Sequence, residues 1–191
     1  MLDSREGKQR MSTGIILTYD DYAALPDDGR RYELHEGELS VTPAPSPGHQ
    51  DGVLELAIVV REHVKTRGLG KVYIAPIDCI LSDTTVVQPD VVYVDATKLD
   101  LITSRGIEGP PTLVIEILSP STAQIDRRTK MALYAKFGVP HYWIVDQDAR
   151  RIEAYGLAER GYQLAARLEG ETAAALPPFP DLVLDPASLW S

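Results

Sequence analysis

Residues 110–146 decide the fold of this chain and read PPTLVIEILSPSTAQIDRRTKMALYAKFGVPHYWIVD. Positions 113–118 form an apolar run with prolines close on either side, which predicts a central strand buried on both faces. Glu116 interrupts this run. A charged carboxylate at such a position is costly unless it is paired, hydrogen-bonded or bound to a metal, so Glu116 is a candidate functional residue.

A helix and a further strand follow the first strand. Ser121 or Thr122 can cap a helix of roughly fifteen residues. Gly138 and Pro140 end that helix, and residues 141–146 read as the next strand. The stretch therefore predicts a strand, helix, strand unit. It leaves open whether Glu116 points to the face that the helix covers or to the opposite face.

Lys130 is the second candidate functional residue. It shares a helical stripe with Leu133, Tyr134 and Phe137, and Asp126 lies one turn before it. This spacing predicts that the lysine lies on the face that packs on the sheet, where partial burial would lower its pKa. The alternative is that Lys130 pairs with Asp126 on an exposed surface.

The composition is that of a soluble globular protein, since 44% of the 191 residues are hydrophobic and 25% are charged. Residues 1–14 are polar and lack periodicity, which predicts a disordered tail, and residues 15–191 are expected to form a single domain. The net charge of −9 argues against a protein that coats nucleic acid through a general positive field. It does not exclude an enzyme that holds DNA through a local basic patch and a metal ion.

The single cysteine, Cys79, excludes an intrachain disulfide and a cysteine-rich zinc site, and its apolar surroundings predict a buried structural thiol. No apolar run has the length of a bilayer span, and the N-terminus lacks an apolar signal core. We therefore expect a cytoplasmic protein that does not associate with membranes.

Upstream, residues 31–34 and 38–42 flank Glu36-Gly37 and predict a β-hairpin, whose glutamates at 33, 36 and 38 read as solvent-facing charges. A metal-site role for Glu33 is the less favoured alternative. A helix is predicted from Pro47 to about Lys65. His49 lies on its buried stripe, either as hydrogen-bonded structure or as a residue near the functional site.

A second carboxylate occupies a position that resembles that of Glu116. Strands are predicted for residues 71–81 and 86–94, and Asp90 shares one face of the second strand with Val92 and Val94. The structural alternatives are a turn residue after proline for Asp90 and a buried hydrogen bond for Glu116. If the two strands are neighbours, the carboxylates converge and could hold Mg²⁺ or Mn²⁺ for phosphoester hydrolysis.

The C-terminal part predicts a hairpin from residues 151–155 and 162–167, and then a proline-punctuated segment, 176–190, that packs on the domain or on a partner chain. Two groups of basic residues could contact phosphates but are more often solvated faces. They are Arg127, Arg128, Lys130 and Lys136, and Arg61, Lys65, Arg67 and Lys71.

Several motifs carry a family resemblance. Asp90 lies in QPDVVYV, Glu116 in VIEILSPST and Lys130 in DRRTK, followed by YAKFGVPHYWIVD, and RYELHEGEL and PSPGH lie upstream. From about Thr18 onward the chain resembles the Uma2 (DUF820) family of the PD-(D/E)XK nuclease superfamily. The resemblance implies an α/β (α+β) fold with a restriction endonuclease-like α-β-β-β-α-β core, in which helices flank a central mixed β-sheet. The N- and C-terminal hairpins are additions to that core.

The resemblance also implies a function. The expected protein is a Mg²⁺- or Mn²⁺-dependent endonuclease that hydrolyses DNA phosphodiester bonds, with Asp90, Glu116 and the carbonyl of Ile117 on the metal. The superfamily lysine usually lies two residues after the acid, where this chain has Leu118, so Lys130 is expected to replace it and assist water attack. His49 would lie behind the metal ligands or on the substrate side.

Two other functions remain open. One is a catalytically silent nucleic-acid-binding or assembly module with the same fold, and the other is a hydrolase of a different phosphoester. A homodimer is expected because family members commonly dimerise and because the C-terminal segment is apolar.

Overall fold

The computed structural model describes residues 14–190, so the predicted tail lies, except for Gly14, outside the described residues. Within these residues, thirteen strands and four α-helices follow one another. In order they are α1 (Tyr19–Ala23), β1 (Arg31–His35), β2 (Glu38–Thr42), α2 (Pro47–Thr66), β3 (Gly70–Ile74), β4 (Cys79–Ser82), β5 (Thr85–Val87), β6 (Val91–Asp95), a 3₁₀-helix (Ala96–Leu101), β7 (Ile107–Glu108), β8 (Leu113–Ile117), a π-helical segment (Ile125–Lys130), α3 (Met131–Lys136), β9 (His141–Asp146), β10 (Arg151–Ala158), β11 (Gly161–Glu169), β12 (Ala174–Ala175), β13 (Val183–Leu184) and α4 (Pro186–Leu189).

The main sheet has six strands in the order β11-β10-β9-β8-β6-β3. β3, β6 and β8 pair antiparallel, β8 and β9 pair parallel, and the β10–β11 hairpin extends the sheet beyond β9. With α2 before β3 and α3 between β8 and β9, the order α-β-β-β-α-β is confirmed. The parallel β8–β9 pair is the strand, helix, strand unit predicted from residues 110–146.

Each face of the main sheet has its own apolar core. Ile115 and Trp143 pack with α2 residues such as Val60 on one face. On the other face Val114 and Ile144 pack with Leu133, Tyr134 and the buried thiol of Cys79. Alternate residues of β8 therefore enter different cores, and Glu116, two positions after Val114, faces the α3 side.

A second sheet, ordered β2-β1-β5-β4-β7, corrects the strand predictions for residues 71–81 and 86–94. Each predicted strand is two strands, one in each sheet, separated by a short segment that contains Pro76 or Pro89. Proline lacks the N–H that a central strand donates to its neighbour, so each ladder stops near the proline and the chain crosses to the other sheet. The predicted N-terminal hairpin, β1–β2, joins this second sheet through β5.

The helix after β8 differs from the prediction at its start. Its first turn is bonded to Ser119, whose carbonyl and Oγ accept the Thr122 N–H, and neither Ser121 nor Thr122 provides a side-chain cap. The π-helical segment precedes α3 without a break. Gly138, with φ of 78°, ends the helix as predicted.

The C-terminal segment packs on its own domain. Leu176, Phe179, Leu184 and Leu189 are buried in the core that contains α2. The segment therefore gives little support to the expected homodimer. No helix among residues 14–190 is long and apolar enough to cross a bilayer.

Candidate active site

Asp90 and Glu116 meet across two neighbouring strands of the main sheet. β6 pairs with β8 so that Val91 lies opposite Ile115, and the next step of this register places Asp90 opposite Glu116. Asp90 lies just before β6, where its Oδ2 accepts the N–H of Ile117 at 2.9 Å. The side chain of Asp90 thus continues the hydrogen bonding of the ladder where the backbone of β6 stops.

Glu116 is 3% exposed, and both of its hydrogen bonds go to one oxygen. Its Oε1 lies 3.0 Å from Lys130 Nζ and accepts the Tyr134 hydroxyl at 2.7 Å. Burial raises the pKa of Glu116 well above its ordinary value; Lys130 opposes this shift, and the charges of Asp126 and Asp90 add to it. No described residue donates a hydrogen bond to Oε2, which remains available to a ligand.

Lys130 is buried among three carboxylates. Its Nζ lies 2.9 Å from Glu33 Oε1, 3.0 Å from Glu116 Oε1 and 3.8 Å from Asp126 Oδ1. The lysine side chain is 7% exposed, so pairing with Asp126 on an exposed surface is wrong. The expected fall of its pKa is also wrong: burial alone would lower the pKa of Lys130, but Glu116, Glu33 and Asp126 raise it. The ammonium is therefore charged at neutral pH.

Glu33 is part of the site, which corrects its interpretation as a solvent-facing charge of the hairpin. It is 2% exposed and accepts the backbone N–H of Gln88 at 2.7 Å in addition to its contact with Lys130. Burial opposes ionisation, but Lys130 and hydrogen bonds from His35 and Gln88 lower the pKa of Glu33 to about 2. Glu36 and Glu38 of the same hairpin are exposed, as predicted.

Sequence reasoning favoured a solvent-facing position for Glu33 because Arg31, Glu33 and His35 are alternate polar residues, a pattern typical of the solvent face of a strand. The second sheet instead turns this polar face of β1 toward Lys130. Only the packing of the two sheets carries that information.

His49 lies in the first turn of α2, where Ser46 Oγ accepts its backbone N–H at 3.2 Å. Its ring Nε2 lies 3.2 Å from Asp90 Oδ2 and 3.0 Å from the carbonyl oxygen of Ile117. Since both neighbours are acceptors, Nε2 carries the proton. The hydrogen bond to Asp90 raises the pKa of His49 against the effect of burial. His49 thus contacts two of the expected metal ligands, Asp90 and the carbonyl of Ile117.

A cavity of about 360 Å³ opens at this point. Asp90, Glu116, Lys130 and His49 all line it, so the structure brings four of the five predicted site residues together. The fifth, Ile117, does not line the cavity, but its carbonyl oxygen accepts a hydrogen bond from His49. The remaining lining includes Arg31, which the sequence analysis did not single out, and the hydroxyl side chains of Ser46, Ser119, Ser121 and Thr122.

Comparisons with known proteins agree with this architecture. Residues 19–187 match the Uma2 family, which is described as "Putative restriction endonuclease". The chain belongs to the Uma2 family. The crystal structure of a "putative nuclease belonging to DUF820" from Anabaena variabilis is 21% identical, covers 91% of this chain and 97% of its own, and superposes with a TM-score of 0.75. This likeness confirms the fold, and no match was found among curated proteins.

The Uma2 description supports a nuclease-like function with a nucleic acid substrate for this chain. The structure brings Lys130, the residue expected in place of the superfamily lysine, to Glu116. Leu118, at the usual lysine position, lies just beyond β8, whereas Lys130 reaches Glu116 from the following helix.

The Uma2 site carries an excess of negative charge that suits a cation. Its buried carboxylates are Glu33, Asp90, Glu116 and Asp126, and the only buried lysine or arginine among residues 14–190 is Lys130. Among residues 14–190, no three His, Cys, Asp or Glu side chains are grouped so that they could hold a metal ion by themselves. Two carboxylates and the Ile117 carbonyl nevertheless form an oxygen donor set of the kind that Mg²⁺ binds while it keeps several waters. The residues present therefore fit a divalent ion.

The other members of the two predicted basic groups lie elsewhere. Arg127 pairs with Glu153 at 2.5 Å, and Lys136 pairs with the exposed Glu36. Arg61, Lys65 and Lys71 line a separate groove near the C-terminal end of α2. Lys65 is sixteen residues from His49, roughly 24 Å along the helix axis. Neither predicted basic group, apart from Lys130, lines the Uma2 cavity.

Proposed function

We propose that this protein is a Mg²⁺- or Mn²⁺-dependent endonuclease that hydrolyses phosphodiester bonds in DNA. The observation that carries the proposal is the meeting of two buried carboxylates on adjacent strands with a buried, charged lysine at an open cavity. The family description supports the same class of activity.

Asp90 and Glu116 would hold the metal ion, together with the carbonyl of Ile117. When bound, such an ion polarises the phosphoryl group and lowers the pKa of its water to supply a nucleophile near neutral pH. Glu116 Oε2 faces no donor from the described residues, and Asp90 and Ile117 oxygens retain lone pairs beyond those that His49 occupies.

Lys130 contributes a fixed positive charge. Three carboxylates raise its pKa, so Lys130 enters the proposed reaction as an ammonium. It holds Glu116 Oε1 in place and offsets the negative charge that develops on the reacting phosphate. Tyr134 supports the same oxygen from the core, and Glu33 fixes the ammonium from the second sheet.

His49 keeps two of the proposed metal ligands, Asp90 and the carbonyl of Ile117, in position. Its Nε2–H lies between Asp90 Oδ2 and the Ile117 carbonyl, so the imidazole restrains the carboxylate and the strand end together. We assign it a positioning role.

Cleavage of supercoiled plasmid by the purified protein, with Mg²⁺ or Mn²⁺, tests the proposal. Asp90→Asn and Glu116→Gln should each reduce the rate at least about 100-fold, because each removes charge that the metal and the reacting phosphate require. The matched control is Glu153→Gln, which changes another buried glutamate, 7% exposed, outside the cavity. The control should cleave at the wild-type rate.

Cleavage that survives both site substitutions would overturn the assignment. Calorimetric titration with Mn²⁺ gives a second readout, because stoichiometric binding should depend on Asp90. Binding of DNA without metal binding or cleavage would support the silent module instead. Turnover of a small phosphodiester without cleavage of DNA would support a hydrolase of another phosphoester.

A further inference from the structure

We infer that Arg31 binds a phosphate group of the nucleic acid substrate, an inference that rests on the proposed function. Arg31 is the first residue of β1, in the second sheet, and lines the cavity that also contains Asp90 and Glu116. Its side chain is 20% exposed, so Arg31 is only partly covered by the surrounding residues.

Gln88 orients this guanidinium. Arg31 Nη2 donates to the backbone carbonyl of Gln88 at 2.7 Å, and Nε donates to the Gln88 side-chain oxygen at 3.4 Å. Both acceptors are neutral. The remaining nitrogen, Nη1, lies 3.9 Å from Asp90 Oδ1, beyond hydrogen-bond distance. Gln88 thus holds the Arg31 guanidinium on one side, and Nη1 on the other side points toward Asp90, an expected metal ligand.

The other cationic groups of the cavity are committed to partners within the protein. Lys130 has carboxylate contacts at 2.9 and 3.0 Å and is almost fully buried. His49 is bonded to Asp90 and to the Ile117 carbonyl. Among the described residues that line the cavity, Arg31 is therefore the only arginine or lysine without a carboxylate oxygen within hydrogen-bond distance.

A phosphodiester needs such a group here. The four buried carboxylates of the site repel an anionic substrate, and Lys130 offsets only part of their charge. A planar guanidinium presents paired N–H donors that match the oxygens of a phosphate, and phosphate contacts of this kind position the substrate without reading its sequence. Arg31 would place the phosphate beside Asp90, within reach of the proposed metal.

The experiment compares Arg31→Gln with Arg30→Gln, a matched control that removes the same charge from the adjacent residue. Arg30 has a side chain 67% exposed, pairs with Asp28 and does not line the cavity. Cleavage of a fluorescently labelled duplex gives kcat and KM, and anisotropy in Ca²⁺ gives the affinity of the same duplex over a range of salt concentrations. Thermal melting by circular dichroism verifies that each variant is folded.

Arg31→Gln should raise KM by roughly tenfold or more with a smaller change in kcat, because a charged hydrogen bond to the substrate is lost. The slope of log affinity against log salt should fall by about one, the signature of one lost phosphate contact. Arg31→Lys should retain the slope but recover only part of the affinity, because an ammonium cannot bind two oxygens as a fork does. Arg30→Gln should match the wild type.

An unchanged salt slope in folded Arg31→Gln, or an equal change in Arg30→Gln, would overturn the inference. If Asp90→Asn abolishes cleavage while Arg31→Gln keeps the wild-type slope, the proposed function stands and Arg31 is excluded. If the wild type binds the duplex but does not cleave it, the proposed function fails, and the slope still decides whether Arg31 contacts phosphate.

Discussion

Two ion-pair clusters meet the same helix but differ in burial and in charge balance. The buried cluster consists of one lysine and three carboxylates that are at most 3% exposed, namely Lys130 with Glu33, Glu116 and Asp126. The outer network, three residues earlier on the helix, pairs three arginines with three acids, and all of its members except Glu153 are partly exposed. Its members are Arg127, Arg151, Arg167, Asp146, Glu153 and Glu169.

This difference is the one that the proposed function leads us to expect. In the outer network each charge has an opposite charge nearby, and every member except Glu153 is at least partly exposed to water, so no residue depends on a further ion. In the buried cluster one ammonium serves several acids, and burial raises the pKa of both Glu116 and Asp126. A protein that retains this imbalance gives up stability at the place where a cation would restore it.

Lys130→Met should produce the largest loss of stability. The substitution leaves three buried carboxylates without a counter-charge, at a cost of about 3–5 kcal/mol in chemical denaturation without metal. The pKa values of those carboxyls would rise in the folded state, so the variant should regain stability as the pH falls below neutral. Arg127→Met is the control in the outer network, and an equal loss in both variants would remove the distinction between the clusters.

Glu33→Gln should have the next largest effect, on the order of 3 kcal/mol at neutral pH. The folded pKa of Glu33 is about 2 against an ordinary value of 4.5, so its ionised form stabilises the fold above the ordinary pKa. That stabilisation is lost as the pH falls from about 4.5 to about 2. The free energies of unfolding of the wild type and Glu33→Gln, measured by urea denaturation and plotted against pH across this window, should therefore give two curves that converge in acid. Parallel curves would mean that Glu33 is not ionised beside Lys130.

Asp126→Asn should act in the opposite direction, with a gain of about 1 kcal/mol at neutral pH. Burial raises the pKa of Asp126, so its charged form destabilises the fold and the wild type gains stability as the acid protonates. Lys130 keeps its two shorter contacts in this variant. The melting temperature measures the change. A loss of stability as large as that of Glu33→Gln would show that Asp126, like Glu33, stabilises the fold in its ionised form.

Arg167→Gln should have the smallest effect, below about 1 kcal/mol and reduced further by salt. Its side chain is 43% exposed, and its contacts with Glu153 and Glu169 are 3.5 and 3.6 Å long. Melting temperatures at low and high ionic strength give the comparison. A loss that persists in high salt would show that the outer network is structurally more important than its exposure indicates.

The central part of the fold was predictable because its signals are local. The apolar run with Glu116, the helical spacing of Lys130 and the terminating Gly138 are each readable over a few residues. They gave the order of the core elements and the residues that the cavity brings together. The assignment of roles to Asp90, Glu116 and Lys130 stays a prediction until cleavage is measured.

The second sheet was not predictable in the same way. Its strands are short and paired across long sequence separations, as when Leu34 of β1 lies opposite Val86 of β5. Local alternation therefore gave Glu33 a solvent-facing position and gave Arg31 no role. The prolines at 76 and 89 were visible, but the sequence did not show that the chain changes sheets there.

The π-helical segment of Ile125–Lys130 gives this region an unusual sensitivity to length. A π turn corresponds to an α-helix with one extra residue, and each residue of a helix turns the chain by about 100°. Deleting one residue, such as the exposed Arg128, would restore regular winding and rotate Asp126 relative to Leu133 and Tyr134. A loss of three nucleotides in frame would thus leave a regular helix in which Asp126 is turned away from its present position.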